Sequence, residues 1–251
     1  MPVRRALATV LRTYKVGEAD KIVVFFTLPY GKLRGMARAA RRMRSRFGGS
    51  LEIGTEVELT FFEKESRELV SVDRCDIVRS RFSELGEPIL ASTLGYVTDL
   101  VDQFALEREA NTRLYRLLRA TIEVLDVDAS PETKARYFEA WLLRLVGFYP
   151  RRKTCPSCSR ALTDEGARYL LTEQRLECQR CLDSGILLSP KALQYLEVMW
   201  KTAPKAMAPP ETEDVLRELG SFHYRLMQEQ LEKDLKSHQV FEALLRFEKG
   251  R

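Results

Sequence analysis

The sequence contains little of what catalysis usually requires. Its two histidines, His223 and His238, have no metal ligand or nucleophile at motif spacing, and His223 lies among helical apolar positions, as a packed residue would. Gly31-Lys32 ends like a phosphate-binding loop, but Phe26 stands where the first glycine of that loop is needed. The sequence therefore predicts a protein that is not an enzyme.

Long apolar runs are also absent. No stretch reaches the about 18 residues that a membrane-spanning helix needs, and the first residues lack the apolar segment of a secretory signal. Cysteine is scarce, with five in 251 residues, which suits a reducing compartment better than a disulfide scaffold does. We expect a cytoplasmic protein that makes no membrane contact.

Acidic residues are missing between Asp20 and Glu52, and the same window is rich in cations. A plain solvated surface is one explanation, but such surfaces usually interleave both signs of charge. Arginine outnumbers lysine, and its planar fork pairs well with phosphate oxygens. We therefore predict a DNA-binding surface in this window. Seven cations in fifteen positions are its candidate residues: Lys32, Arg34, Arg38, Arg41, Arg42, Arg44 and Arg46.

The positive charge is concentrated near the start of the chain. Residues 1–80 carry 16 Lys and Arg against 10 Asp and Glu, a net charge of +6, whereas the remaining residues sum to −1. Tyr30 and Phe47 lie in predicted turns of this region and are candidates for stacking on bases, with core packing as the alternative. A second basic cluster, Arg151-Arg152-Lys153, either extends the nucleic-acid contact or simply flanks the cysteine segment that follows it.

Four of the five cysteines form two CxxC pairs separated by nineteen residues, a spacing typical of a four-thiolate zinc site. Four protein ligands leave no position open for water, so the metal would be structural. A redox CxxC is the alternative, but it needs only one pair and a βαβ context, which the pattern lacks. The sequence predicts one structural Zn²⁺ per chain, bound by Cys155, Cys158, Cys178 and Cys181.

The first 80 residues have the period and composition of strands. Five strands in so short a segment match a five-stranded oligonucleotide-binding (OB) barrel, and a small SH3-like barrel is the alternative. The candidate strands cover residues 6–12, 22–28, 32–39, 56–61 and 68–77.

From about residue 85 apolar residues recur every three or four positions, which indicates amphipathic helices. Ser130-Pro131 and Ser189-Pro190 are typical helix starts, and residues 211–247 are predicted to be mostly helical. The predicted fold class is α+β, with a five-stranded OB-type barrel followed by an all-α domain that carries an inserted four-cysteine zinc finger. The predicted domains are an OB-fold nucleic-acid-binding domain (1–80), a helical domain in two parts (81–150 and 189–251) and the zinc finger (151–188).

Several stretches resemble one known family. Residues 17–23, 31–42 and 45–52 closely resemble the opening of bacterial RecO proteins. The motif Phe148-Tyr149-Pro150 before the first CxxC, the second CxxC, and Leu235-Lys236-Ser237 near the end are similar to the same family. The likeness spans the whole chain.

The resemblance implies a DNA repair and recombination mediator of the bacterial cytoplasm and nucleoid. Such a protein binds single- and double-stranded DNA and anneals complementary strands. It is implied to act with RecR, with the C-terminal tail of single-strand-binding protein and indirectly with RecF and RecA, which it helps to load onto coated single strands at gaps and double-strand breaks. The implied site residues are the basic stretch from Lys32 to Arg46 and the four paired cysteines.

Two other functions fit the residue pattern without the resemblance. A zinc-containing OB-fold module that binds RNA or takes part in transcription would use the same arginines on structured RNA. A pure adaptor would instead serve as a scaffold for protein partners. Acceleration of strand annealing would separate a recombination mediator from the RNA-binding module. Partner pull-down that an arginine-depleted variant retains would favour the adaptor.

Overall fold

The computed structural model describes residues 3–64, 68–82, 86–125, 130–150 and 152–250. Contacts between residues divide the chain into two compact units. Unit 1 comprises residues 1–126 together with 236–251, and unit 2 comprises residues 127–235. The chain therefore leaves unit 1, builds unit 2 and returns to unit 1 with its last segment.

Unit 1 begins with strands, as the alternating pattern predicted. A short 3-10 helix, Gly48–Leu51, follows the third strand. All five predicted strands are confirmed, and the first is longer than predicted because it pairs with two neighbours. The strands are β1 (Val3–Val16), β2 (Asp20–Thr27), β3 (Gly31–Ala37), β4 (Glu56–Phe62) and β5 (Val70–Arg79).

The strands close into a barrel in the order β1-β2-β3-β5-β4. β1 pairs with β4 from Val3 to Thr9 and with β2 from Ala8 to Val16, and a bulge at Leu11 interrupts the pairing with β2. β3 and β5 pair in parallel, with Gly35 opposite Val70 and Met36 opposite Ser71. This closed barrel of five strands confirms the OB-type prediction.

Alternating apolar side chains fill the barrel. Val10, Phe25, Leu59 and Val72 are buried in one core cluster. Cys75 lies in the same cluster, and burial raises the pKa of its thiol to about 12. The fifth cysteine is therefore a packing residue, set apart from the paired cysteines of unit 2.

The helical pattern after residue 85 is also confirmed. The helices that start at Pro131 and Pro190 are capped by the side chains of Ser130 and Ser189, which accept hydrogen bonds from the backbone N–H groups of Thr133 and Ala192. The helices are α1 (Pro88–Phe104), α2 (Thr112–Glu123), α3 (Pro131–Leu145), α4 (Leu162–Glu165), α5 (Pro190–Met199), α6 (Glu213–Leu231) and α7 (Lys236–Lys249).

Helix α7 belongs to unit 1 although it follows unit 2 in the chain. It packs on α1, where the rings of Tyr96 and Phe241 stack with centroids 5.3 Å apart. Ser237 Oγ donates a hydrogen bond to Asp99 of α1. Asp99 also accepts from Arg12 of β1, so the same carboxylate ties α1 to both the barrel and the last helix.

Unit 2 contains α3, α5 and α6 together with the cysteine-bearing segment. α3 packs on α6, and α6 in turn contacts α5. The cysteine segment forms a three-stranded sheet in the order β7-β6-β8, with β6 at Ala167–Leu170, β7 at Arg175–Cys178 and β8 at Ile186–Leu188. This segment is inserted between α3 and α5, as the sequence predicted.

The predicted helical stretch at 211–247 consists of two helices. α6 ends where Glu232 adopts the left-handed conformation, with φ of +52°, and α7 starts four residues later. The domain boundaries predicted from the sequence (1–80, 81–150, 151–188 and 189–251) stay a prediction. The two units are defined by contacts within the folded chain, and these contacts do not show which segments fold independently. Within the described ranges, no helix has both the length and the apolar character needed to cross a membrane.

Candidate nucleic-acid interface and metal centre

The arginine-rich segment 38–46, here called the basic loop, follows β3 and is anchored at its first end. Arg41 donates from its backbone N–H to Ala19 O at 2.9 Å and from Nη1 to Gly17 O at 2.8 Å. The backbone N–H of Ala39 donates to Asp20 Oδ1 at 2.8 Å. These bonds fasten the start of the loop to the turn between β1 and β2.

The other end of the basic loop is anchored by Phe47, which immediately follows it. The Phe47 side chain is buried in the barrel core. Arg46 lies over this ring, with Cζ 4.8 Å from the ring centroid, and its Nη2 donates to Val72 O at 3.3 Å. Phe47 is therefore an anchor in the core and is not positioned to stack on a base.

The middle of the loop projects into solvent. Met43 at its tip is fully exposed, a feature that sequence reasoning did not single out. Within the described ranges of the chain, no carboxylate forms an ion pair with any arginine of the loop. The loop thus presents uncompensated positive charge, and its five guanidinium groups belong to Arg38, Arg41, Arg42, Arg44 and Arg46.

The two cations on β3 differ from those of the loop. Arg34 Nε lies 2.7 Å from Glu107 Oε1, so its charge is compensated at the surface. Lys32 is only 6% exposed, and its ammonium lies 3.6 Å from Asp102 Oδ1 and donates to the backbone O of the same residue. Lys32 faces α1 instead of solvent because Asp102 provides a buried counter-charge there. Lys32 therefore does not belong to the exposed basic surface.

Tyr30 lies on the turn between β2 and β3 and is half-buried. Its ring meets Phe61 edge-on at 5.8 Å, and Arg4 Cζ lies 5.2 Å from its centroid.

In unit 2, Arg152 and Lys153 are exposed, whereas Arg151 lies outside the described residues. The two described residues of this cluster are exposed cations, and their contact with DNA stays a prediction.

The four paired cysteines converge in unit 2. Their sulfur atoms all lie within 4.8 Å of one another, and Cys158 Sγ is 3.5 Å from Cys178 Sγ. A tetrahedral ion with metal–sulfur bonds of about 2.3 Å requires sulfur atoms about 3.8 Å apart. The observed separations suit such an ion, so the four cysteines can hold a metal.

Tight turns position the four sulfurs. In the first pair, the N–H of Cys155 donates to Arg160 O and the N–H of Ser159 donates to Cys155 O, both at 2.8 Å. In the second pair, Cys178 ends β7, and the N–H of Cys181 donates to Cys178 O at 3.0 Å. Each turn therefore brings both of its sulfurs to one side.

The electrostatics of the four thiols favour a cation between them. Burial opposes ionisation of Cys155, but hydrogen bonds from the backbone of Cys178, Ser157 and Cys158 outweigh it and lower the pKa of Cys155 to about 6. Hydrogen bonds with the sulfurs of Cys158 and Cys178 raise the pKa of Cys181 to about 12. Cys155 therefore ionises readily, whereas Cys181 does not ionise beside it unless a cation compensates the negative charge.

Sequence reasoning missed a buried polar network in unit 2. Arg136 Nη1 and Glu139 Oε1 on α3 are 2.7 Å apart. His223 Nδ1 of α6 lies 2.9 Å from Glu139 Oε2, and the Tyr149 hydroxyl lies 3.3 Å from His223 Nε2. The available signal was the recurrence of Glu132, Arg136 and Glu139 at helical spacing on an otherwise apolar helix face. The buried position of His223 confirms that it is a packed residue.

Two protein-family models together cover most of the chain. Residues 1–81 match the model described as "Recombination protein O N terminal". Residues 87–239 match the model described as "Recombination protein O C terminal". The first match coincides with the barrel, and the second covers α1 to the start of α7.

Curated proteins show the same similarity over most of their length. A protein of Koribacter versatilis is 31% identical over 237 residues, which are 93% of this chain and 96% of that protein. A protein of Geobacter sulfurreducens is 33% identical over 193 residues, or 76% of this chain and 78% of that protein. Both relatives are named "DNA repair protein RecO".

Proposed function

This chain belongs to the RecO family of DNA repair proteins, and from that premise we propose that it binds single- and double-stranded DNA and anneals complementary strands. The basic loop at 38–46 supplies the contact with the sugar–phosphate chain. No nucleotide is consumed, and the protein acts as a recombination mediator rather than as an enzyme.

One observation carries this proposal: the basic loop has five arginines and no carboxylate partner for them among the described residues. Two DNA strands repel each other through their phosphates, and bound guanidinium groups reduce that repulsion. Contacts with phosphates carry no sequence information, so any pair of complementary strands can be gathered. The exposed Met43 at the loop tip adds an apolar group that can lie against unstacked bases.

Family membership supports the partners in this proposal. The protein would act with RecR and with the C-terminal tail of single-strand-binding protein, and indirectly with RecF and RecA. Its role would be to help RecA to load onto coated single strands at gaps and double-strand breaks. The site of action would be the bacterial cytoplasm and nucleoid.

The test measures DNA affinity against salt concentration and the rate of strand annealing. On single strands, each phosphate contact contributes about −0.7 to the log–log slope. Replacing Arg41, Arg42, Arg44 and Arg46 with Ala should shallow the slope by about 3 and slow annealing. Since Arg41 and Arg46 also anchor the loop, a second variant with Arg38, Arg42 and Arg44 replaced by Gln should shallow it by about 2.

Met43→Ala is the matched control, because it changes the tip of the same loop without changing its charge. Its salt slope should equal that of the unmodified protein. An unchanged slope in both arginine variants would remove the basic loop from the proposal. Tight binding of structured RNA without any acceleration of annealing on protein-coated strands would favour the RNA-binding alternative instead.

We also propose that the four cysteines bind one structural Zn²⁺ per chain. Four thiolates at tetrahedral separation suit zinc and leave no ligand position for water, so the ion would stabilise the cysteine segment and take no part in a reaction. Protein purified under reducing conditions should contain one equivalent of zinc, measured by elemental analysis. Cys155→Ser should lose the metal and make the segment 152–188 sensitive to protease.

The matched control for zinc binding is Cys75→Ser, which removes a thiol in the barrel and leaves the four ligands intact. This variant should retain a full equivalent of zinc. Protein that contains no stoichiometric metal, or a Cys155→Ser variant that keeps it, would contradict the zinc site.

A further inference from the structure

A small cavity lies in unit 2 where α3 and α5 end. Arg144 stands in the last turn of α3, and Glu197 and Trp200 stand at the end of α5. Tyr149, Pro150, Arg152 and Lys153 provide the remaining wall. The cavity has a volume of about 120 Å³, and its lining includes Arg144, Tyr149, Arg152, Lys153, Glu197 and Trp200.

Aromatic rings hold the arginine of this cavity in place. Arg144 Cζ lies 4.6 Å from the centroid of Trp200 and 5.1 Å from that of Trp141. The two tryptophan rings meet edge-on at 5.2 Å, and Tyr149 meets Trp200 edge-on at the same distance. A guanidinium group fixed between rings is already ordered before a ligand arrives, which lowers the entropic cost of binding.

The charges on the lining are unequal. Arg144, Arg152 and Lys153 contribute three positive charges, and Glu197 contributes one negative charge. Lys153 Nζ lies 3.4 Å from Glu197 Oε2, and Lys201 Nζ lies 3.6 Å from the same oxygen. The carboxylate is therefore shared by two ammonium groups, and the lining retains a net charge of +2.

The cavity is large enough for one phosphate group. At about 30 Å³ for each water molecule, the cavity holds about four waters, the space of a single phosphate group. A terminal phosphate monoester carries about −1.5 to −2 at neutral pH, whereas a backbone phosphodiester or a carboxylate carries about −1. Three cations against one carboxylate favour the more highly charged terminal phosphate over a monoanion.

We propose that this cavity, which we call the Trp–Arg pocket, binds the terminal phosphate of a DNA strand. Arg144 and Arg152 would pair with the phosphate oxygens through their planar forks, and Lys153 would supply a point charge. The identity of the ligand as a DNA end rests on the proposed function, whereas the affinity for a phosphate dianion rests on the cavity alone.

The protein carries its own reporter for this pocket. It has only two tryptophans, Trp141 and Trp200, and both contact Arg144. Intrinsic fluorescence is therefore titrated first with inorganic phosphate and then with an oligothymidylate that carries either a 5′-phosphate or a 5′-hydroxyl. The phosphorylated strand should change the fluorescence at about tenfold lower concentration than the hydroxyl strand, because charge-assisted hydrogen bonds to a phosphate are strong.

Two single substitutions should shift the affinity in opposite directions. Arg152→Gln removes an exposed cation and should weaken the response to inorganic phosphate about tenfold. Glu197→Gln removes the negative charge of the lining and should strengthen that response. Since Arg152 and Glu197 are not in the hydrophobic core, both variants should fold, which circular dichroism can check.

Three results would overturn the proposal. The first is an equal response to the phosphorylated and hydroxyl strands. The second is the same weakening of phosphate binding in Glu197→Gln as in Arg152→Gln. The third is stronger competition by a peptide of Asp and Glu than by the phosphorylated strand, which would assign the pocket to an acidic protein segment.

The basic-loop variant with Arg38, Arg42 and Arg44 replaced by Gln separates this proposal from the proposed function. It should bind the oligothymidylate more weakly but respond to inorganic phosphate as the unmodified protein does. Loss of annealing with an unchanged phosphate response would support both sites as independent. Loss of the phosphate response in this variant would contradict the Trp–Arg pocket.

Discussion

His223 is fully buried in unit 2. Its two hydrogen-bond partners explain why a polar ring is stable there. The ionised carboxylate of Glu139 only accepts hydrogen bonds, so Nδ1 of the imidazole donates to it. Nε2 is then free of a proton and accepts from the hydroxyl of Tyr149. The neutral ring satisfies both partners, and burial lowers the pKa of His223 below its ordinary value of 6.5.

This burial predicts that unit 2 loses stability in acid. Because the pKa of His223 is lower in the folded protein than in the unfolded chain, the contribution is complete above about pH 6.5 and is lost as the pH falls towards the folded pKa. One proton limits the slope to about 1.4 kcal/mol per pH unit. Urea unfolding between pH 5 and pH 8 measures it, and His223→Gln should flatten it. Equal slopes in both proteins would contradict this prediction.

The direction of single side chains could not be predicted from the sequence. Lys32 and Arg42 looked equivalent in a window without acids, yet Lys32 is buried against Asp102, seventy positions away in the chain. Phe47 looked like a turn residue, and it fills the barrel core. Local composition indicated the basic surface, but only the tertiary packing separates the cations that face α1 from those that face solvent.

At the scale of elements, α3 and α6 approach closely because α6 has no side chain at Gly220. A Cβ atom placed there would lie 2.3 Å from Arg136 Cζ. The guanidinium group of Arg136 has no open space to move into, because it is 1% exposed and bonded to Glu139. Gly95 of α1 differs, since a Cβ there would meet nothing within 4 Å.

Replacing these two helical glycines with alanine should therefore give opposite results. Gly95→Ala should stabilise the protein by about 0.5 to 1 kcal/mol, as alanine usually does in a helix interior. Gly220→Ala should destabilise it by about 2 kcal/mol or more, because it displaces a buried ion-pair partner. Thermal unfolding midpoints of the two variants provide the comparison. Stabilisation by both substitutions would show that Arg136 can move without cost.

The elements themselves were well predicted because their signals are local. Alternation and strand-like composition together identified the five barrel strands, and serine followed by proline identified the starts of α3 and α5. The break between α6 and α7 was missed because it has neither glycine nor proline. Instead, Glu232 adopts the left-handed conformation. A glutamate in the sequence does not predict this conformation, because residues other than glycine rarely adopt it.

At the scale of the whole molecule, unit 1 includes a helix, α7, that follows unit 2 in the sequence. Phe241 and Leu245 of α7 are buried, and Phe241 stacks on Tyr96 of α1. The sequence predicted one mostly helical stretch at 211–247, and its apolar period gave no reason to separate α7 from α6. Periodicity describes which face of a helix is apolar, but it does not identify the element that covers this face.

The division into units predicts which part of the protein a substitution in α7 will destabilise. Phe241→Ala removes a buried ring and should destabilise unit 1 by about 3 to 4 kcal/mol. Amide hydrogen exchange should consequently accelerate in α1 and in the barrel, while the helices of unit 2 should keep their protection.

Val240→Ala is the matched control, because Val240 is the adjacent residue of the same helix and is 54% exposed. Its effect should stay within about 0.5 kcal/mol. Faster exchange throughout α3 and α6 in Phe241→Ala would show that the last helix supports unit 2 instead. Acceleration confined to unit 1 would mean that the barrel bearing the basic loop depends on a helix that starts 157 positions after the last barrel strand ends (236 − 79).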